Sequence, residues 1–127
     1  TRPEYLVEVG HFDEECGSRA MDALLALPEP PTAVIGINDL VSAGVLRSLL
    51  ERGLRVPQDC AVASFDNSYL ADLIVPRLTS VDYDYEAYAA RLVGQALAQI
   101  AGQASVTSDV HPVRLLVKAS TAGGEEA

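Results

Sequence analysis

The sequence predicts an α/β domain with a largely parallel sheet and helices on both faces of that sheet. Short uninterrupted apolar runs, AVIGI at residues 33–37 and AVASF at residues 61–65, are typical of strands that are buried on both sides. Stretches with apolar residues at helical spacing separate these runs. Strands that alternate with helices in this way indicate right-handed βαβ units.

The first half of the chain predicts two strands and two helices. Asp13 precedes an apolar stripe and suits a helix N-cap, and Gly53 follows a second stripe in the position of a C-cap. The predicted elements are a strand at 5–9, a helix at 14–27, a strand at 33–37 and a helix at 40–52.

The second half continues the alternation. Tyr85 and Ile100 bracket a long amphipathic pattern that ends at Gly102. We expect residues 122–127 to form a disordered tail because they are small, polar and terminal. The predicted elements are a strand at 61–65, a short helix at 68–73, a strand at 78–82, a helix at 85–101 and a strand at 113–118.

Composition narrows the class of function. The 127 residues suffice for one domain, and 18 acidic against 9 basic residues give a net charge of −9 without a basic stripe. We therefore expect no direct contact with nucleic acid and, without a long apolar run, none with membrane. Cys16 and Cys60 are expected to be buried thiols in a reducing cytoplasm, and His11 and His111 to be surface or loop residues, so no metal or cofactor is predicted.

Two polar junctions follow the central apolar runs and suggest a binding site. Asn38-Asp39 and Asp66-Asn67 come where a predicted strand ends. Ligands of open α/β sheets bind at the carboxyl ends of strands, and an amide with a carboxylate suits a molecule rich in hydroxyls. The alternative is that these residues only cap helices, and we expect Asp39 to do so, which would free Asn38 for a ligand.

Enzymatic chemistry finds little support in the sequence. There is no Walker sequence, dinucleotide fingerprint, nucleophile elbow or zinc spacing. A phosphoacceptor receiver domain would use Asp66, Thr79 or Ser80, and Lys118, which come in the right order. That chemistry also needs a carboxylate pair on the first strand, which is lacking, so we expect no enzyme.

The motifs around the two junctions resemble a known family. Residues 31–81 contain an apolar strand before Asn-Asp, the run GLRVPQD at 53–59, a strand that ends in Phe-Asp, and PRLTSV at 76–81. GHFDEECG at 10–17 and LLVKAST at 115–121 extend the likeness. In this order the motifs are similar to the C-terminal part of the effector-binding region of lactose-repressor-type (LacI/GalR) bacterial transcription regulators.

The resemblance implies an incomplete, type I periplasmic-binding-protein-like lobe that helps to enclose a small effector. The effector would be a sugar or a related polyol or nucleobase. Asn38 and Asp66 match family positions that hydrogen-bond it, and Phe12 matches a position whose ring can lie against it. Tyr83 falls on a crossover segment that can line the cleft. For Phe12 and Tyr83, a place in the lobe core or on its surface remains the alternative.

The resemblance further implies that residues 1–127 are the C-terminal part of an effector-binding and dimerisation domain in a cytoplasmic repressor. DNA would be bound through a headpiece absent from this chain, and residues 84–110 would pack with the other lobe. A homodimer contact is expected at Leu46, Leu70, Ile74 and Val75. A sugar-binding protein of a transport system is the alternative function.

Three positions depart from the family pattern. Ser64 and Asn67 stand where Gly and Asp are usual, and Cys60 stands where Val or Ile is usual. Because Ser64 precedes the second junction and Asn67 is part of it, these two departures leave the class of effector open.

Overall fold

The computed structural model describes residues 2–103 and 110–122, which form four strands and four α-helices with a short 3-10 helix before them. The sheet has the order β1-β2-β3-β4, in which β1, β2 and β3 are parallel and β4 is antiparallel to β3. The predicted α/β fold class with a largely parallel sheet is confirmed. The elements are α1 (Glu14–Leu25), β1 (Ala33–Ile35), α2 (Asp39–Glu51), β2 (Ala61–Asp66), α3 (Leu70–Leu73), β3 (Thr79–Asp82), α4 (Tyr85–Ile100) and β4 (Arg114–Leu116).

Two predicted helix ends are confirmed. The Asp13 side chain accepts a hydrogen bond from the Cys16 amide at 2.8 Å and so caps α1. Gly53 has φ +72° directly after α2, and the Leu54 amide donates back to the Leu49 carbonyl at 3.0 Å. A glycine at this position ends the helix without the steric cost that a side chain would carry.

The core lies between α2 and the sheet, with α1 packed on α2. Met21 of α1, Leu49 of α2 and Val62 of β2 are fully buried in one cluster. Burial alternates along β2, and its buried residues Val62 and Ser64 face α2. Other members of the cluster are Leu24, Val45, Leu46, Cys60, Ala71 and Leu78. Both cysteines are buried free thiols.

The opposite face of the sheet is open in the described part of the chain. Ile35, which pairs with Ala63 across β1 and β2, is 71% exposed. Helix α4 buries none of its residues and exposes an apolar set, Leu92, Val93, Leu97 and Ile100. The expectation that residues 84–110 pack with another lobe stays a prediction, and residues 104–109 lie outside the described part, as do 123–127 of the predicted tail.

The predicted strand at 5–9 is wrong. Pro3–Tyr5 forms a 3-10 helix, and residues 6–9 run on extended without pairing to any strand in the described residues. The apolar composition of residues 5–9 suits a strand, but strand geometry is stabilised by ladder hydrogen bonds to a neighbour, and in the described residues this segment pairs with no strand. No helix of the described residues is long and apolar enough to cross a membrane.

Helices α1 and α2 pack so closely that glycine is required at their contact. A Cβ built on Gly44 would meet the Glu14 carbonyl oxygen at 1.9 Å, and one on Gly17 would meet the Val41 carbonyl oxygen at 1.9 Å. Backbone atoms cannot yield to such contacts without moving a helix.

We predict that Gly44→Ala lowers the free energy of unfolding by about 1–3 kcal/mol because it forces the two helices apart. Gly94→Ala is the matched control: it also lies within a helix, where an added Cβ meets nothing within 4 Å. The control should raise stability by about 0.5–1 kcal/mol through the higher helix propensity of Ala. Urea denaturation of both variants measures the difference. Equal stabilisation by the two substitutions would show that α1 and α2 are not in close contact.

Candidate functional site

The carboxyl ends of the three parallel strands form one edge of the sheet. Because Ile35 pairs with Ala63 and Asp66 pairs with Asp82, the residues that follow β1, β2 and β3 emerge side by side. Strand β4 enters at the same edge, where Arg114 pairs with Asp82. Both polar junctions and both segments that connect to α4 therefore meet at this edge.

Asn38 is the N-cap of α2. Its side-chain Oδ1 accepts a hydrogen bond from the Val41 amide at 2.8 Å. The expectation that Asp39 takes the capping role is thus wrong. The chain at Asn38 is extended, with φ −155° and ψ 172°, and this geometry directs its side chain back over the first turn of the helix. The cap uses Oδ1, and the amide Nδ2 is outside this bond.

Asp39 is buried instead of exposed at the helix start. It is 1% exposed and accepts three hydrogen bonds. The Ser68 amide donates at 2.6 Å and the Ser68 hydroxyl at 2.9 Å, both to Oδ2, while the Ser80 hydroxyl donates to Oδ1 at 2.9 Å. A buried carboxylate needs such donors because it has lost its hydration. Asp39 thereby joins the start of α2 to the segment after β2 and to β3.

Asp66 and Asn67 form a left-handed turn at the end of β2. Their φ angles are 101° and 47°, values that L-residues other than Asn and Asp seldom adopt. The Asn67 amide donates to the Ser80 hydroxyl at 3.0 Å, and Lys118 Nζ donates to Asn67 Oδ1 at 2.9 Å. Lys118 also pairs with Asp72 at 2.8 Å. The turn is held by both its backbone and its side chain.

Tyr85, which the sequence assigned only to the apolar stripe of a helix, belongs to this edge. Its hydroxyl donates to Asp66 Oδ1 at 3.2 Å, and its ring lies 5.9 Å from that of Tyr83. Burial raises the pKa of Tyr85, and the charge of Asp66 adds to this effect. The sequence signal was the pair of tyrosines on either side of Asp84, where the strand pattern changes to a helix pattern.

The two segments that connect to α4 are tied together beside Asp66. Arg114 Nη2 lies 2.6 Å from Asp82 Oδ2. The pKa of Asp82 is lowered most by the hydrogen bond from the Asp84 amide, and the hydrogen bond from Arg114 lowers it further. His111 Nε2 lies 2.6 Å from the Tyr83 carbonyl oxygen. His111 is indeed in a loop, but this contact fixes it against the edge.

Phe12 borders a cavity that the other predicted site residues do not line. It is 61% exposed and borders a cavity of about 480 Å³ beside β1, together with Val7, Ile35 and Ile37. Asn38, Asp66 and Tyr83 do not line this cavity. The structure therefore joins Asp66 to Tyr83 through Tyr85, places Asn38 on the same edge, and leaves Phe12 at the side of β1.

The residues of the receiver hypothesis are engaged elsewhere. The Ser80 hydroxyl donates to Asp39, and Lys118 contacts Asn67 and Asp72. Thr79 Oγ1 lies 2.6 Å from Thr121 Oγ1. Among residues 2–103 and 110–122, no cluster of His, Cys, Asp and Glu could hold a metal ion.

The four residues predicted at a dimer contact line one surface groove of about 410 Å³. Val75 is 78% exposed at its border. Leu46 is only 2% exposed and belongs to the core, because its position on α2 faces the sheet. Leu40 and Leu50 are the members of α2 that expose apolar surface in the groove.

Comparisons of this chain with a family model and with curated proteins agree with each other. Residues 2–121 match the periplasmic binding protein-like domain. The chain is 46% identical over 78 residues to the probable HTH-type transcriptional repressor ExuR of Bacillus subtilis, which covers 61% of this chain and 23% of the repressor. The chain thus spans about a quarter of the length of that curated relative.

Solved structures agree with the sequence match. The transcriptional regulator CelR–cellobiose complex superposes with a TM-score of 0.85 at 31% identity, over 94% of this chain and 37% of that chain. The lac repressor dimer bound to operator and the anti-inducer ONPF has a TM-score of 0.83 at 28% identity, over 88% of this chain and 34% of that chain.

We predict that Asn38→Ala lowers the free energy of unfolding by about 1 kcal/mol because α2 loses its cap. Asn38→Asp keeps an acceptor for the Val41 amide and should remain close to the parent protein in stability. Thermal and urea denaturation at neutral pH distinguish the two variants. Equal loss of stability in both would contradict the capping role.

Proposed function

We propose that this chain, which belongs to the periplasmic binding protein-like domain family in the form carried by lactose-repressor-type regulators, is the effector-sensing and dimerising part of a DNA-binding transcription regulator. The effector binds at the carboxyl edge of the sheet, between this lobe and a second one. Its binding stabilises one arrangement of the lobes and so changes operator affinity.

The observation that carries the proposal is the set of polar groups at this edge. Asp66 presents carboxylate oxygens, Tyr85 adds a hydroxyl that already bonds Asp66 at 3.2 Å, and Asn38 adds an amide outside its capping bond. The Tyr83 ring offers an apolar face beside them. Donors and acceptors next to an aromatic ring suit a sugar or a related polyol or nucleobase. The likeness to a regulator in complex with cellobiose supports a sugar.

A regulator is favoured over the other classes considered. The curated relative compared above is a probable transcriptional repressor, which supports a cytoplasmic regulator over a sugar-binding protein of a transport system. The net charge of −9 opposes direct binding to DNA, so operator contact belongs to a headpiece outside this chain. We infer that the domain is no enzyme, since Ser80 and Lys118 serve structural contacts.

The apolar groove beside α2 is proposed as the homodimer contact. Leu40, Leu50 and Val75 expose apolar side chains there, and Arg47 with Glu14 forms an ion pair of 2.9 Å at its border. An apolar centre with a charged rim is the usual composition of a subunit interface. The lac repressor structure is that of a dimer, which supports the assignment.

We predict that Asp66→Asn in the full-length regulator weakens effector binding about 10- to 100-fold, because a hydrogen bond to a charged group is lost. Asn is chosen because it tolerates the φ of 101° at this position. The effector is first identified by thermal shift with a panel of mono- and disaccharides, including cellobiose, and nucleosides. Isothermal titration calorimetry then compares the variants, and operator affinity without effector should not change.

Asn38→Asp and Tyr85→Phe test the two other polar groups of the edge. Glu29→Gln is the control, because Glu29 is exposed and precedes β1, at the opposite end of the strands. Unchanged effector affinity in Asp66→Asn would exclude this edge as the binding site.

We predict that Val75→Lys and Leu50→Lys each dissociate the dimer, since a charge would be buried at the centre of the contact. Ile100→Lys is the control: Ile100 is 84% exposed at the end of α4, outside the groove. Sedimentation velocity over a range of concentrations measures the dimer. Dissociation by Ile100→Lys alone would move the interface to α4, and a parent protein that stays monomeric would contradict dimerisation through this chain.

A further inference from the structure

One closed ring of hydrogen bonds surrounds the left-handed turn that carries Asp66. The Asp39 carboxylate accepts from the Ser68 amide at 2.6 Å and from the Ser80 hydroxyl at 2.9 Å. The Ser80 hydroxyl in turn accepts from the Asn67 amide at 3.0 Å. The two amides that follow Asp66 are therefore both held by one buried carboxylate, directly at Ser68 and through Ser80 at Asn67.

We propose that Asp39 is the positioning residue that holds the Asp66–Asn67 turn in the geometry that binds the effector. This inference rests on the proposed function, because it concerns the same edge of the sheet. It assigns Asp39 no contact with the effector: its carboxylate is 1% exposed and its acceptors are taken up by Ser68 and Ser80.

The turn needs such a restraint because its backbone is not in a favoured region. Asp66 at φ 101° and Asn67 at φ 47° are consecutive non-glycine residues with positive φ, and this arrangement persists only where the surroundings fix it. If the acceptor for the Ser68 amide were lost, that amide would need a new partner, and the turn could relax toward negative φ. Relaxation of φ at Asp66 would redirect its side chain away from Tyr85.

The chemistry of the ring explains why a carboxylate is present. Asp39 receives one amide and two hydroxyl protons and needs to donate none. Asp39→Asn leaves the ring closed when its NH₂ group faces Ser80, because that group donates to the Ser80 hydroxyl, which has two acceptor lone pairs. Asp39→Ala removes both acceptor oxygens. The Ser68 amide and the Ser80 hydroxyl then lose their acceptor, and the ring is broken.

The chain offers a matched control for this substitution. Ser42 lies on the same helix, is fully buried, and donates to the Ser64 hydroxyl at 2.9 Å. Ser42→Ala removes a buried hydrogen bond between α2 and the sheet, as Asp39→Ala does, but it does not touch the turn. If the two variants are equally stable but differ in amide exchange or in sugar affinity, the difference comes from the turn and not from the packing of α2.

The first readout is hydrogen exchange of single backbone amides, measured by NMR on this chain. In Asp39→Ala we expect exchange of the Ser68 and Asn67 amides to be at least about tenfold faster, with the amides of Val62 and Ser64 in β2 unchanged. In Ser80→Ala the Asn67 amide alone should lose protection, because Ser68 keeps its bond to Asp39. Ser42→Ala should leave both amides protected.

The second readout is affinity for a sugar. The probe is the saccharide from the thermal-shift panel, cellobiose included, that raises the melting temperature of the full-length regulator most. We expect Asp39→Ala and Ser80→Ala to weaken its binding at least about tenfold, and Ser42→Ala to leave it unchanged. If these residues only stabilised the fold, all three variants would bind the sugar with the same affinity when the measurement is made on fully folded protein.

The outcomes separate the inference from the proposed function. Faster exchange spread evenly over β2 and the turn would show that Asp39 only stabilises the fold and would overturn the proposal. Local loss of protection with normal sugar affinity would overturn it as well. If Asp39→Ala does not fold, Ser80→Ala alone decides by the same criteria. If no saccharide or nucleoside binds the parent protein, the proposed function and this role for Asp39 both fail, whatever the exchange shows.

Discussion

The contact on which this edge of the molecule depends is the set of hydrogen bonds accepted by the buried Asp39 carboxylate. It joins three elements that are distant in sequence, because Ser68 and Ser80 lie 29 and 41 residues beyond Asp39. A carboxylate at 1% exposure would destabilise the fold if its donors were absent, so the start of α2, the turn after β2 and β3 must assemble together. The positions of Asn38 and Asp66 follow from this assembly.

Close packing of α1 on α2 supports the same arrangement from behind. Gly17 and Gly44 let the two backbones meet, and fully buried Leu49 and Val62 fix α2 on the sheet. This packing places the N-terminus of α2, at Asn38, at the carboxyl edge of the strands. In the proposed function, a second lobe closes over the exposed Tyr85 and the half-buried Asp66 and supplies the other half of the site.

Local signals in the sequence were sufficient for most of the fold. The Asp13 cap, the Gly53 helix end and the apolar runs of β1 and β2 each depend on a few neighbouring residues, and all were predicted. The strand at 5–9 failed because strand formation depends on a partner strand, which the local pattern does not contain. Leu46 fits an apolar helix face equally well as core or as subunit contact, and only the packing of α2 on β2 decides that it is core.

The sequence predicted several residues that lie at this edge of the sheet, but not the contacts that they make. The paired junctions at strand ends correctly indicated that Asn38 and Asp66 share one edge. The capping role was assigned to Asp39 and belongs to Asn38, because either residue type can cap a helix and only the tertiary structure provides donors for a buried Asp39. Tyr85 was missed since its pairing with Asp66 joins residues 19 apart in the sequence. Such contacts depend on where strands end in space, which periodicity does not specify.

A crystal structure of the full-length regulator with the small molecule that most raises its melting temperature tests most directly whether the effector binds at the carboxyl edge. We expect ligand hydroxyls at hydrogen-bond distance, about 2.7–3.0 Å, from the Asp66 carboxylate and the Asn38 amide, with the Asp66–Asn67 turn unchanged. A ligand bound in the cavity beside β1, against Phe12 and Ile37 and away from Asp66, would contradict it.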